Sequence, residues 1–177
     1  ILFSLIMGFR IASAQDAFLY EPNQIKGFLN PALTGLYGSF SATVTAKEQY
    51  FNLTNDFTTA GISLEYSLPC PRTDFGIFYI NDVEGAAHLR THHVGGSFVY
   101  TIPFELNEYM HNIRIGTKFQ YTGKSIDWDR LIFSDQIDPK YNLLNSSGIR
   151  NLSAFEAPDI NSRHRITVGV GVIHRMS

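Results

Sequence analysis

Alternation with period two runs through the chain from residue 39 onward, and it restricts the fold more than any other feature. In 112–122, NIRIGTKFQYT, one face carries Ile113, Ile115, Thr117, Phe119 and Tyr121, and the other Arg114, Gly116, Lys118, Gln120 and Thr122. In 92–102, Val94, Gly96, Phe98, Tyr100 and Ile102 oppose His93, Gly95, Ser97, Val99 and Thr101. In 58–68, Ala60, Ile62, Leu64, Tyr66 and Leu68 oppose Thr59, Gly61, Ser63, Glu65 and Ser67. The same division sets Phe40, Val44 and Ala46 against Ser41, Thr43, Thr45 and Lys47, and Ile166, Val168, Val170 and Val172 against Arg165, Thr167, Gly169 and Gly171. Residues 74–81 make a weaker strand, apolar on both faces. Successive side chains of a strand point to opposite sides, so the pattern predicts about six antiparallel strands joined as a meander. No stretch after residue 15 has the spacing of an amphipathic helix of useful length.

These strands run to about ten residues, against the ~5–6 usual in soluble sheets and matching the ~9–11 of a tilted strand that crosses a bilayer. Aromatics make up 14% of the chain, and Tyr50, Phe51, Tyr66, Phe75, Phe104, Tyr109 and Tyr121 gather at strand ends, where outer-membrane barrels carry aromatic girdles. Alternation alone does not say which face is wet. A soluble lipid-binding barrel also alternates, with its apolar residues inside. Strand length, rings and the N-terminal segment favour an all-β, antiparallel outer-membrane β-barrel with Glu65, Arg114, Lys118, Arg165 and Lys47 facing the lumen. On that assignment arginine at Phe98 or Val170 blocks assembly, and arginine at Ser97 or Thr167 is tolerated. A bacterial barrel needs at least about eight strands, so the six here read as an N-terminal fragment of a larger barrel.

Residues 1–15, ILFSLIMGFRIASAQ, join an apolar run too short to span a bilayer as a helix to a small-x-small pattern, as in a clipped export signal. The expected organisation is a signal-peptide remnant over 1–15 and one β-barrel domain over 16–177, incomplete at its C-terminus. Net charge is −2, which gives no sign of nucleic-acid binding. Cys70 is the one cysteine, so no internal disulfide exists.

The stretch KSIDWDRLIFSDQIDPKYN, 124–142, concentrates Asp127, Asp129, Asp135 and Asp138 around Trp128. Asp127 and Asp129 are spaced like the first ligands of a calcium loop, but the turn glycine and the bidentate glutamate at the twelfth position are missing. No partner for a carboxylate-pair hydrolase is visible. The alternation of Ile126 and Trp128 with these acids reads as an exposed strand extension, and Asp138-Pro139 as a turn. His92 and His93 point to opposite faces and cannot share a metal. No catalytic residue, cofactor or metal is expected.

Four stretches together resemble the PorP/SprF family of type IX secretion system membrane proteins. FLNPALTG, 28–35, resembles the family's Asn-Pro-Ala-x-x-Gly segment through Asn30, Pro31 and Gly35. FGIFYINDVEGAAH, 75–88, resembles its strand followed by Asn-Asp-x-x-Gly through Asn81, Asp82 and Gly85. The span 113–139 resembles its glycine-containing strand, its Asp-Trp segment (Asp127, Trp128) and its Asp-Gln-x-Asp-Pro loop (Asp135, Gln136, Asp138, Pro139). Tyr50 stands where the family tends to show tryptophan. The resemblance implies a non-enzymatic outer-membrane component that anchors or docks secreted proteins, including gliding adhesins, with outer-membrane lipid, secretion-machinery proteins and surface adhesin cargo as partners. It makes these motif residues candidates for docking. The alternative is a porin-like solute channel in which Arg114, Lys118 and Arg165 tune passage.

Overall fold

The computed structural model describes residues 25–49, 57–70, 72–85, 89–106, 109–128, 131–137, 143, 151–156 and 158–176. The 1–15 segment, Tyr50, Phe51, Asp129, Asp138 and Pro139 lie outside the described residues.

Six strands form one antiparallel sheet in sequence order: β1 Phe40–Gln49, β2 Phe57–Leu68, β3 Thr73–Glu84, β4 Leu89–Leu106, β5 Tyr109–Ser125 and β6 Ser162–Met176. Each of the six stretches marked by alternation lies within one of them, and the sheet is an open meander with β1 and β6 at its edges. β4, β5 and β6 reach 18, 17 and 15 residues, well beyond a soluble strand. Val, Ile, Thr, Phe and Tyr supply the pleated surface on which such strands pair. The hairpins turn on positive φ at Arg72 (64°) between β2 and β3, and at Gly85 (66°) after β3.

The faces are inverted relative to a soluble barrel. The apolar face is the exposed one: Val44, Ile62, Ile77, Val94, Phe98, Phe119 and the valines of β6 are all open, Val168 and Val170 each at 70%. The polar face is the covered one, burying Thr59, Ser63, Glu65, Asp74, Asp82, Thr91, His93, Ser97, Arg114, Gln120 and Thr122. A soluble monomer rarely exposes a contiguous apolar patch above a few hundred Å², so an apolar sheet face of this breadth fits hydrocarbon and not water. Among the described residues no helix is long and apolar enough to cross a membrane, which leaves any crossing to the strands.

Rings border the apolar band at both ends. On β6 the run Ile166, Val168, Val170, Val172 is bracketed by His164 and His174. His164 Nδ1 is hydrogen-bonded to Tyr121 Oη at 2.6 Å with the two rings stacked, and Tyr79 Oη meets His92 Nδ1 at 2.9 Å on the same end. At the other end Phe104, His111 and His174 stack side by side. Amphipathic rings with one apolar body and one polar edge suit the depth where hydrocarbon gives way to headgroups.

What covers the polar face is the chain's own N-terminal segment. A single helical turn, α1 Lys26–Leu29, lies against β3 and β4 and leads into a 3₁₀ turn, Pro31–Leu33, which lies against β4, β5 and β6. This explains why β3 is apolar on both sides. Its outer residues Phe75, Ile77 and Tyr79 face outward, while Phe78 and Ile80 pack inward on Ile25 and Phe28, the small hydrophobic core. Phe28 also meets Phe78 and His93 edge-on, with ring centroids 5.7 and 5.2 Å away.

Candidate functional site

Two regions gather the motif residues: the seat of the N-terminal plug and one rim of the sheet. At the seat, Asn30 caps the 3₁₀ turn, its side chain accepting the Ala32 N–H at 3.0 Å, and Pro31 starts the turn with the φ it is built for. Gly35, at φ 70°, turns the chain tightly against Asp74, and its N–H donates to Glu65 Oε2 at 2.9 Å. The Thr34 and Ser97 hydroxyls pair at 2.7 Å. Arg114 is the centre of the seat. It forms an ion pair with Asp74 at 2.9 Å, donates through Nε to the Ala32 carbonyl at 3.0 Å and through its terminal nitrogen to the Thr34 carbonyl. Lys118 donates to the Phe28 carbonyl, and the Ser67 hydroxyl to Asp74.

Inner-face glycines make room for this segment. A Cβ on Gly76 would lie 2.6 Å from Thr34 Cγ2, and one on Gly116 would strike the backbone of Pro31 and Ala32. Gly171 stands in the same relation to Asn30, and Gly61 to Ile25. Glycine inside a strand commonly marks a close approach by another backbone. The glycines on the polar faces were therefore the one sequence signal that the lumen side is packed. Arg114, Lys118 and Glu65 do face inward as expected, but they clamp protein backbone.

Ser97 needs a correction for the same reason. It is buried under the plug and bonded to Thr34, so arginine there would collide with the segment instead of entering open lumen.

The second region is the rim where β3 ends, β4 begins, β5 ends and β6 begins. The pairs Glu84 with Leu89, Arg90 with Ser125 and Ser125 with Ser162 place these strand ends together. Asn81, Asp82 and Gly85 therefore share an end of the sheet with Asp127, Trp128, Asp135 and Gln136. Asp82 is buried and accepts the Thr59 hydroxyl, while Gly85 supplies the hairpin turn. Asn81 is half-buried.

The expected strand extension past 125 is not there. Ladder pairing continues only through the Ile126 N–H to Asn161 C=O bond at 3.0 Å, and the chain then turns at Trp128, whose carbonyl accepts the Leu131 N–H. The sharper cause is packing: the indole of Trp128 lies 5.7 Å from the Phe155 ring, and Phe133 lies 4.6 Å from the same ring.

Asp135 and Gln136 sit in a 3₁₀ turn, Ser134–Gln136, and stitch that turn to 151–154. Asp135 accepts from Ser153 Oγ at 2.8 Å and from the Ala154 N–H at 2.7 Å. Those two donors, the backbone one first, hold its carboxyl below the ordinary range of an aspartate. Gln136 receives the Phe133 N–H at 3.0 Å and exchanges bonds with the Asn151 backbone and side chain at 3.2 and 3.0 Å. Ser153 and Phe155 were not singled out, because a polar, turn-rich stretch carries no periodicity that would pair it with another loop.

Beside Trp128 the rim opens into a recess of about 660 Å³ at the mouth of the lumen side, walled by residues from β4, β5, β6 and the 158–161 segment. Trp128 Nε1 is shut away from solvent with no hydrogen-bond partner. Among the described residues no group of three or more His, Cys, Asp or Glu is placed to hold a metal ion.

Neither the curated proteins nor the solved structures contain a match to the chain. The family model described as type IX secretion system membrane protein PorP/SprF matches residues 13–173, a span that includes both the plug seat and the rim. An antiparallel meander with its apolar face outward and its lumen side filled by the Asn30–Gly35 segment, matched over nearly all its length, belongs to the PorP/SprF family of type IX secretion system membrane proteins.

Proposed function

We propose that the protein is a non-enzymatic outer-membrane β-barrel wall that docks secreted or surface proteins, or the machinery that moves them, at the rim carrying Trp128, and that it is not an open solute channel. The observation that carries this reading is the plug. Arg114 and Lys118, two of the three side chains a porin would use to tune passage, and Glu65 beside them are engaged by backbone groups of residues 28–35. A channel lining needs such groups facing water. The rim supports the docking half, because its loops are cross-tied around a recess and carry the chain's only tryptophan. Exposed or half-exposed aromatics are common anchors of protein interfaces.

The full-length protein should fractionate with outer membranes and resist carbonate and salt washing. Reconstituted in planar bilayers it should show no steady open conductance. Changing Asp127 and Trp128 together should reduce partner co-purification and cargo secretion while heat-modifiable migration of the barrel stays normal. Folded barrel at normal levels with undiminished secretion rules out docking at this rim, and a stable open conductance of the unmodified protein restores the channel.

A further inference from the structure

We propose that the Trp128 rim opens to the cell exterior and the opposite end of the sheet to the periplasm, so that the partner taken by the rim is a protein that has already crossed the outer membrane. The proposal rests on the docking reading and decides between surface cargo and periplasmic machinery in favour of the cargo. The two ends of the meander differ in how their strands are joined. At one end β2 passes to β3 through 69–72, and β4 to β5 through 107–108. At the Trp128 end the connections are 50–56, 85–88 and 126–161. The 85–88 connection is no longer than 69–72, so the asymmetry is carried by 50–56 and above all by 126–161. Outer-membrane barrels have short turns on the periplasmic side and longer loops outside the cell.

The longest connection is also a folded one. Asp135 and Gln136 tie its turn to 151–154, and the Trp128, Phe133 and Phe155 rings pack together. Irregular backbone of this kind has no place in hydrocarbon, so it stands in the water beyond β5 and β6. Ile132, Ile137 and Leu152 are exposed on it, which gives a protein arriving from solution apolar side chains to bury.

The plug gives an independent observation. From Ile25 to Gly35 its contacts step along β3 from Ile80 through Phe78 and Gly76 to Asp74, away from the rim and toward the 69–72 turn. The Ser39 carbonyl then accepts the Ser67 N–H at 2.9 Å, and β1 starts there with Phe40 opposite Tyr66. The segment before β1 therefore leaves the inner face at the short-turn end. An exported chain reaches the outer membrane from the periplasm, and with β1 starting on that side the plug enters the inner face without crossing hydrocarbon. Arg114 and Lys118 hold it there. A partner at the recess beside Trp128 arrives from the rim side and not past the plug.

The test uses cells that produce the full-length protein and a maleimide reagent that does not pass the outer membrane. Cys70 is exposed in the 69–72 turn and reports on the short-turn end. Leu152→Cys, at a side chain 91% exposed, reports on the rim, and Tyr109→Cys, at one 58% exposed, is a second reporter beside the 107–108 turn. Each modification is located by the mass of its own peptide, so cysteines elsewhere in the protein do not enter the reading. In intact cells Leu152→Cys should be modified, and Cys70 and Tyr109→Cys only after the outer membrane is permeabilised. The reverse pattern overturns the proposal and keeps the membrane-spanning wall. Modification of both ends in intact cells, or of neither, overturns the proposal together with that wall. A bulky maleimide on Leu152→Cys in intact cells should also release surface cargo. Cargo retained with the rim modified refutes docking there, and with it the partner, while the orientation stands.

Discussion

The plug seat and the Trp128 rim are built from similar materials and end in opposite conditions. Both join short turns to strand ends through side-chain bonds to backbone: Arg114 to Ala32 and Thr34 at the seat, Asp135 and Gln136 to 151–154 at the rim. At the seat the cations have their partners within the chain, with Arg114 on Asp74 and on two carbonyls. At the rim Lys124 and Arg163 face each other, and an indole N–H has no acceptor. The difference teaches how to separate two kinds of motif. The Asn30–Gly35 motif is spent on holding the molecule together. The Trp128 rim sets Lys124, which Glu84 attracts, opposite Arg163 and leaves one buried indole N–H without an acceptor.

The largest expected effect breaks the seat. Arg114→Ala leaves Asp74 buried without its cation, a change worth about 3–5 kcal/mol in buried pairs. Proteolysis should then cut within 25–36 at a rate far above that of the unmodified protein, with the rim loop no more sensitive than before. Sensitivity at both regions would mean that seat and rim are one cooperative unit.

Behind both regions runs the apolar outer face, shared by β5 and β6. Val170→Arg puts a charge in mid-band and should cost ~2–4 kcal/mol in assembly, while Thr167→Arg, on the half-covered inner face, should cost far less. Folding yield into lipid vesicles measures the contrast. Equal yields would show that the outer face does not meet hydrocarbon, and a lower yield for Thr167→Arg that the faces are reversed.

Gly116→Ala tests close approach alone, because it adds one methyl group against the Pro31–Ala32 backbone and removes no charge. Overpacking of this kind costs ~1–3 kcal/mol. The midpoint of urea unfolding should fall, and Gly123→Ala on the same strand, where an added methyl group meets only ordinary contacts, the nearest His164 Nδ1 at 3.5 Å, provides the comparison for a glycine outside the seat.

The smallest effect lies at the rim. Asp135 has its carboxyl held below the usual range by Ala154 and Ser153, so the ionised form favours the closed loop. That contribution is present above the unfolded value of about 4 and is lost as pH falls through the lower folded value. Protease cleavage near 135–154 should therefore be flat from neutral pH down to that range and rise only below it. Asp135→Asn should raise cleavage at neutral pH and leave global unfolding unchanged. A rise beginning near pH 6 would point to a different group.

All six strands were legible in the sequence, as were their faces, because period two is a local property. A residue and its second neighbour share a side whatever the rest of the chain does. The same locality set the limits. The sequence placed Arg114, Lys118 and Glu65 on the lumen side, but their partners lie 82, 90 and 30 residues away, at Ala32, Phe28 and Gly35. Ser97 was read as an open lumen position for want of any local sign of the segment above it, although the glycines at 61, 76, 116 and 171 were there to be read as clearance.

By itself, then, the sequence determined the number of strands and the division of most of them into an apolar and a polar face, each a consequence of backbone alternation and side-chain polarity, but it put the strands at about ten residues where β4, β5 and β6 run to 18, 17 and 15. Tertiary structure alone decided that Asn30–Gly35 fills the inner face, that Asn81–Gly85 and Trp128 meet at one rim, and that Lys124 lies opposite Arg163. Those outcomes depend on strand register and on packing between segments distant in the chain. Register emerges only when all the strands pair at once.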